Sequence, residues 1–307
     1  MSELSPTKET PPVLMVIFNR QDNARRVFDA VRQAKPKQLF IAADGPRPDR
    51  IGEKERCDQT RKIAQEVDWP CEVHTDFLDK NIGPCLRVPM AISWFFDHVE
   101  QGIILEDDCL PDQSFFSFCG EMLERYKNDE KVMNISGNNF QDGIKRGDSS
   151  YYFSRYPSTW GWATWRRAWK LYDTNMSRFP AFIKEKRIKS IVPDKDKGEQ
   201  RYWLTFFTKE HAGKFIFWDV KWLFTIWSYG AVSVIPNNNL VTNIGFGADA
   251  THTKGELGLS IPLKPLTRII HPKEIVVDHE ADRYLYQKVY RTTVWSKIKY
   301  KLRQLFG

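Results

Sequence analysis

The sequence predicts an α/β protein built on a mostly parallel, doubly wound sheet, and three observations carry that expectation. Short β-rich runs alternate with amphipathic helical stretches from residue 13 to about 136. The apolar run Gly102–Leu105 ends in three consecutive acids, Glu106, Asp107 and Asp108. The second half changes character and becomes rich in Trp, Phe and Tyr. Strands alternating with helices imply βαβ units, which build parallel sheets with their ligand sites at the carboxyl ends of the strands.

In chain order the strand candidates are Val13–Phe18, Gln38–Ala43, Cys71–Phe77, Gly102–Leu105 and Val132–Ile135, each a short apolar or β-branched run. Between them lie helical candidates at Asp22–Gln33, Lys54–Val67, Pro84–His98 and Asp112–Tyr126, the last with Asp112 as its N-cap. Farther on come shorter helices, Ser177–Lys186 and Glu199–Lys209, and a polar loop at Pro236–Asn239. We expect a disordered N-terminus over residues 1–12 and one domain over 13–282. That domain would divide into halves at 13–140 and 141–282, and 283–307 would form a basic amphipathic C-terminal helix.

Composition is that of an ordinary soluble chain: 307 residues, 41% hydrophobic and 28% charged. No apolar run reaches the roughly 18–20 residues that cross a bilayer, and Met1–Pro12 lacks a signal-like apolar stretch. A cytoplasmic location is expected. The five cysteines are scattered, with no C-x-x-C pair, so neither a disulfide framework nor a zinc knuckle is encoded locally. The net charge of +7 is matched by seven Lys and Arg after residue 282, where no acid occurs. Confined to the tail, that charge argues against a nucleic-acid groove. The tail's apolar residues recur at helical spacing among the cations from Val294 to Phe306, which suits an anionic membrane surface; a helix packed on the domain suits it equally.

Three adjacent acids repel one another, and a hard divalent ion bound by carboxylate and phosphate oxygens relieves that repulsion. An acidic turn capping the next helix is the plain alternative. Val13-Leu-Met-Val-Ile-Phe-Asn-Arg20, Ala42-Ala-Asp44-Gly45, Ile104-Leu-Glu106-Asp107-Asp108 and Phe115-Phe116 set the balance. In that order they resemble the GT-A family of nucleotide-sugar transferases, in particular the inverting N-acetylglucosaminyltransferases that begin complex N-glycans and their bacterial relatives. The resemblance covers roughly residues 13–140 and continues more weakly through Gly161-Trp162 and Trp218-Asp219 to Gly247.

What the resemblance implies is a GT-A fold and a metal-dependent inverting glycosyltransferase. It would use a UDP-sugar, with N-acetylglucosamine favoured, and a glycan or lipid-linked acceptor. Arg20 and Asp44 would contact the uridine, Glu106 and Asp107 the ribose and neighbouring groups, and Asp108 would hold Mn²⁺ or Mg²⁺. Asp219 would be the general base, with Trp218 and Trp222 partly desolvating it and presenting rings for a sugar. Where the family has a second acid after this one, the chain has Val220. Trp162 falls at the family's acceptor-side Gly-Trp turn, although a Trp-rich core explains it as well.

Four further residues are weaker candidates. His252, after Gly245-Phe-Gly247-Ala-Asp249, is a candidate metal or diphosphate contact, with Asp249 behind it; a lone His is more often structural. Asn81 and Arg87 flank a helix start after the third strand, where they would meet donor phosphates or merely cap the helix. A sugar-phosphate nucleotidyltransferase is the rival enzyme, but the loop after the first strand, Phe18–Arg26, lacks its glycines. A basic binding protein is the rival outside enzymes.

Overall fold

The computed structural model describes residues 2–3, 9–214, 217–245 and 261–291. Its first half runs β1 (Val13–Ile17), α1 (Gln21–Ala34), β2 (Gln38–Ala43), α2 (Glu53–Arg61), β3 (Glu72–Phe77), α3 (Pro84–His98) and β4 (Gln101–Glu106). Then come β5 (Cys109–Pro111), α4 (Gln113–Arg125) and β6 (Val132–Ser136). The second half adds β7 (Tyr151–Ser154), β8 (Trp162–Trp165), α5 (Lys197–His211), α6 (Trp218–Tyr229), β9 (Val232–Pro236), β10 (Val241–Asn243) and α7 (His279–Leu285), besides shorter turns.

The main sheet has the order β3-β2-β1-β4-β8-β6-β9-β7. β1, β2, β3 and β4 are parallel, as are β6 and β9, whereas β8 runs antiparallel between β4 and β6 and β7 antiparallel along β9. The protein is therefore α/β with a mostly parallel sheet, as its alternating pattern predicts. The chain moves outward from β1 to β3 and then returns to β4 on the other side of β1. That reversal opens a crevice at the carboxyl ends of β1 and β4.

Local chemistry explains where the elements start and stop. Gly83 takes a left-handed φ of 80° and Pro84 occupies the first turn of α3, so the helix begins where the sequence predicts. Asp112 accepts from the Ser114 amide at 2.8 Å and caps α4. The helix expected over Lys54–Val67 ends at Arg61 and tightens into a 3₁₀ turn over Lys62–Gln65. That expected over Ser177–Lys186 shrinks to Phe179–Lys184, because Met176 and Lys186 on either side adopt positive φ.

Two apolar layers sandwich the sheet. One packs α1 and α4 through Val27, Phe28, Phe115, Phe118 and Met122; the other packs α3, α5 and α6 through Phe95, Trp203, Trp222 and Trp227. The helix near the C-terminus begins at His279, ahead of the 283 boundary expected from sequence, with the Asp278 carboxylate capping it. Its continuation packs on the domain: Arg283 pairs with Asp196 at 3.0 Å, and Tyr290 lies 4.9 Å from the Trp203 ring. Residues 292–307, which carry most of the basic pattern, lie outside the described residues. No helix among the described residues is long and apolar enough to cross a membrane.

Candidate functional site

A cavity of about 260 Å³ opens at the switch point between β1 and β4. Arg20, Asp44, Asn81, Arg87, Glu106, Asp107 and Asp108, seven residues the sequence singled out, all line it. Four separate strand ends deliver them. Arg20 follows β1, Asp44 follows β2, Asn81 and Arg87 follow β3, and the acids close β4.

The acids divide by exposure. Asp107 is buried and accepts the Phe18 amide at 3.1 Å, which ties the end of β4 to the end of β1. Asp108 keeps part of its side chain exposed to the cavity, and its Oδ2 accepts from Arg20 at 3.0 Å. The same guanidinium donates to Asp107 through its other terminal nitrogen. Burial opposes a charge on Arg20, but Asp107 and Asp108 outweigh it and hold its pKa above the usual guanidinium value. Burial, with repulsion from Asp108, Asp107 and Asp219, pushes the Glu106 carboxyl well above the ordinary range. Burial also raises Asp107, against the pull of Arg20.

Asp44 serves the loop that follows β3. Its Oδ1 accepts from the amides of Gly45 and Ile82, and its Oδ2 from the Gly83 amide and the Asn81 side chain, all at 2.9–3.0 Å. A uridine contact would require one of these bonds to be given up. Gly45 makes this packing possible, because a Cβ there would sit 2.4 Å from the Lys80 backbone. Asn81 spends its amide hydrogens on Asp44 and on the Gly45 carbonyl, so it is a loop clamp and not the phosphate donor expected from sequence. Arg87 is buried and paired with Asp76 at 2.7 Å, although its Nε has no hydrogen-bond partner among the described residues.

The structure adds residues that the sequence did not select. Arg47 reaches the cavity wall while bound to Glu53, whose side chain is fully buried. Trp160 lines the cavity, whereas Trp162 does not. Between them Gly161 takes φ 64°, and Trp162 enters β8 opposite Ile104. Gly245 lies directly over the acids, where a Cβ would stand 2.4 Å from Asp108 Oδ2 and 2.8 Å from Arg20. The antiparallel ribbon of β5 and β10 fixes that approach, with the Ile244 amide donating to the Asp108 carbonyl at 2.8 Å. The Gly-bearing loop had flagged this segment, but not that its first glycine covers Asp108. His252 and Asp249 lie outside the described residues.

The acceptor residues need correction. Trp162 and Trp222 are 1% and 0% exposed and Trp218 is 8%, so none presents a ring face to solvent. Their rings form a core cluster, Trp162 lying 5.8 Å from Trp222 and 6.1 Å from Trp218, and the Trp222 indole donates to Asn134 at 3.1 Å. The cluster seats α6, whose first turn carries Asp219. Asp219 is exposed and outside the cavity wall, and its neighbouring tryptophans turn inward instead of enclosing it. It still lies near enough for its charge to raise Glu106.

Among the described residues no group of three or more His, Cys, Asp or Glu forms a closed metal cage. The donors suit an open site instead. Magnesium-like ions commonly take one or two carboxylates and complete their shell with substrate phosphate and water, and Asp108 presents carboxylate oxygens of that kind to the cavity.

No family model and no curated protein matches the chain. Several solved structures are loosely similar, three of them as follows. HddC from Yersinia pseudotuberculosis aligns at TM-score 0.33 and 7% identity, covering 51% of this chain and 77% of its own. The 4-diphosphocytidyl-2C-methyl-D-erythritol synthase from Anaerococcus prevotii aligns at 0.33 and 10%, covering 65% and 85%. The glycosyltransferase GlyE of Streptococcus pneumoniae aligns at 0.31 and 10%, covering 74% and 45%.

Proposed function

We propose that this chain is an inverting glycosyltransferase of the GT-A type that transfers a sugar from a nucleoside-diphosphate donor, UDP by resemblance, to an acceptor hydroxyl. The observation that carries the reading is the convergence of Arg20, Arg47, Arg87 and the Glu106–Asp108 acids on one cavity at the sheet's switch point. Arg47 and Arg87 are already paired with Glu53 and Asp76, which leaves Arg20 to offset Asp44, Asp107 and Asp108. A diphosphate entering alone would meet net repulsion; accompanied by a divalent cation it would not. Asp108 would hold that cation, with His252 a further candidate from sequence. When bound, the metal would offset negative charge on the departing diphosphate.

The chain's own residues would do the rest. Arg20 would hold the acids in register and meet the donor's negative charge, while Gly245 leaves room for Asp108 to face it. The acceptor oxygen would bond to the anomeric carbon as the bond to the diphosphate oxygen breaks. The diphosphate would leave with the electron pair, and the hydroxyl proton would pass to Asp219. The basic pattern beyond residue 291 would draw the enzyme to an anionic membrane and a lipid-linked acceptor.

Slow hydrolysis of UDP-N-acetylglucosamine with Mn²⁺ tests the reading. Free sugar and UDP are the expected products, and EDTA should abolish them. Sugar 1-phosphate and UMP would instead indicate attack at phosphorus and support the nucleotidyltransferase alternative. No turnover of any nucleotide sugar would remove the enzyme reading.

A further inference from the structure

The first two turns of α3 have two working faces. Pro84, Arg87 and Val88 line the donor cavity, while Cys85, Leu86, Pro89 and Met90 line a second, larger groove of about 840 Å³. The two spaces thus border different faces of the same helix. Leu86 and Met90 give the groove an exposed apolar patch, at 56% and 50% exposure. Aromatic rings complete it. Tyr172 is held flat by stacking on Trp169 at 4.4 Å, and Tyr229 lies under the Arg178 guanidinium at 4.2 Å.

Charge narrows what could lie there. Asp97 and Asp173 are matched by Lys170 and Arg178, so the groove has no net sign with which to select an anion or a cation. Asp173 is further tied to the amides of Asn175 and Ser177. Fixed aromatic faces beside apolar patches and a few polar groups suit the C–H faces and hydroxyls of pyranose rings. Asp219 stands in the first turn of α6, the helix whose last residue, Tyr229, lines the groove.

We propose that this groove is the acceptor subsite. Its occupant is a neutral oligosaccharide laid across Leu86, Met90 and Tyr172, with its reacting hydroxyl directed past the first turn of α3 toward the donor cavity. The proposal rests on the donor reading above and replaces the buried tryptophans with a surface that a sugar can reach.

Methyl-labelled methionine gives the test, because the chain has only 6 methionines and Met90→Leu identifies the signal. A panel of neutral methyl glycosides and blocked disaccharides is titrated with UDP and Mn²⁺ present. We expect at least one to move the Met90 methyl, and Leu86→Glu or the milder Leu86→Gln to weaken that binding about tenfold. Neither change should alter the thermal shift produced by UDP. The proposal is overturned if no glycoside moves Met90, if a sulfated oligosaccharide binds in preference, or if Leu86→Glu merely converts a dimer to a monomer. Glycosides that move Met90 when UDP produces no thermal shift would sink the donor reading and leave the groove as a sugar site.

Discussion

Arg20 and Arg155 each stand between two acidic side chains, yet one cluster opens on a cavity and the other is sealed inside the fold. Arg155 donates to Asp282 at 2.6 Å and approaches Glu199 at 3.4 Å, all three being at most 5% exposed. Tyr156, Trp203 and Trp227 close over it, the Tyr156 hydroxyl donating to Glu199 at 2.5 Å and the Trp227 indole to the Arg155 carbonyl at 2.7 Å. Around Arg20 the counterpart of that seal is missing: Asp108 faces the cavity, and a glycine lies over it. One composition therefore serves two purposes. The sealed cluster pins α7 to the second half of the sheet, and the open one leaves charge available for a ligand.

The contrast is broken most directly at Asp282. Asp282→Ala leaves the buried Arg155 with only the longer contact to Glu199, and loss of one partner from a buried pair costs about 3–5 kcal/mol. Urea denaturation should show that loss, while protein that remains folded still binds UDP. A near-neutral result would mean that the sealed cluster does not hold the fold.

Gly245→Ala probes the open cluster, because the added methyl must displace Asp108 or Arg20. We expect donor affinity to fall about tenfold, equivalent to about 1.4 kcal/mol, with a far smaller effect on the urea midpoint. If stability and binding fall together, the two clusters do not differ as described.

Protonation sharpens the comparison further. Burial holds the Glu199 and Asp282 carboxyls above their ordinary pKa, so the unfolded chain releases these protons first. Their contribution to stability is complete below the ordinary carboxylate range and declines as pH rises toward the folded values. Glu199→Gln lacks this titration and should gain stability relative to wild type as pH rises above the ordinary carboxylate range. Melting temperatures that keep a constant gap, or diverge the other way, would contradict the assignment.

The smallest structural effect belongs to Asp219→Asn. Its side chain is exposed, so stability should stay within about 0.5 kcal/mol of wild type, while transfer to acceptor is lost and UDP binding persists. Loss of UDP binding as well would make Asp219 a structural residue.

Much of the first half was legible in the sequence because its signals are local. Gly83-Pro84 fixes a helix start, and the apolar run before Glu106 fixes a strand end whose position in a parallel sheet points to the crevice. Directions of side chains were not legible. Trp160 and Trp162 differ only in which side of the Gly161 turn they occupy, and composition cannot say that one lines the cavity and the other fills the core. The three-residue ribbon of β5 and β10 is equally silent in sequence, being too short to show a period, yet it brings Gly245 onto Asp108. Asn81 and Asp44 both line the cavity, but their bonds to each other and to the backbone of a turn are not revealed by any spacing.

The central claim is that the cavity beside Asp108 receives a nucleoside diphosphate together with a divalent cation. Thermal unfolding with UDP, with and without Mn²⁺, in wild type and Asp108→Asn tests it most directly. A ligand at about 100 times its Kd stabilises the native state by about 2.7 kcal/mol. We predict a shift of that order for wild type with UDP and Mn²⁺ together, and most of it lost in Asp108→Asn. An equal shift in both proteins, or none with any nucleoside diphosphate, would contradict the claim.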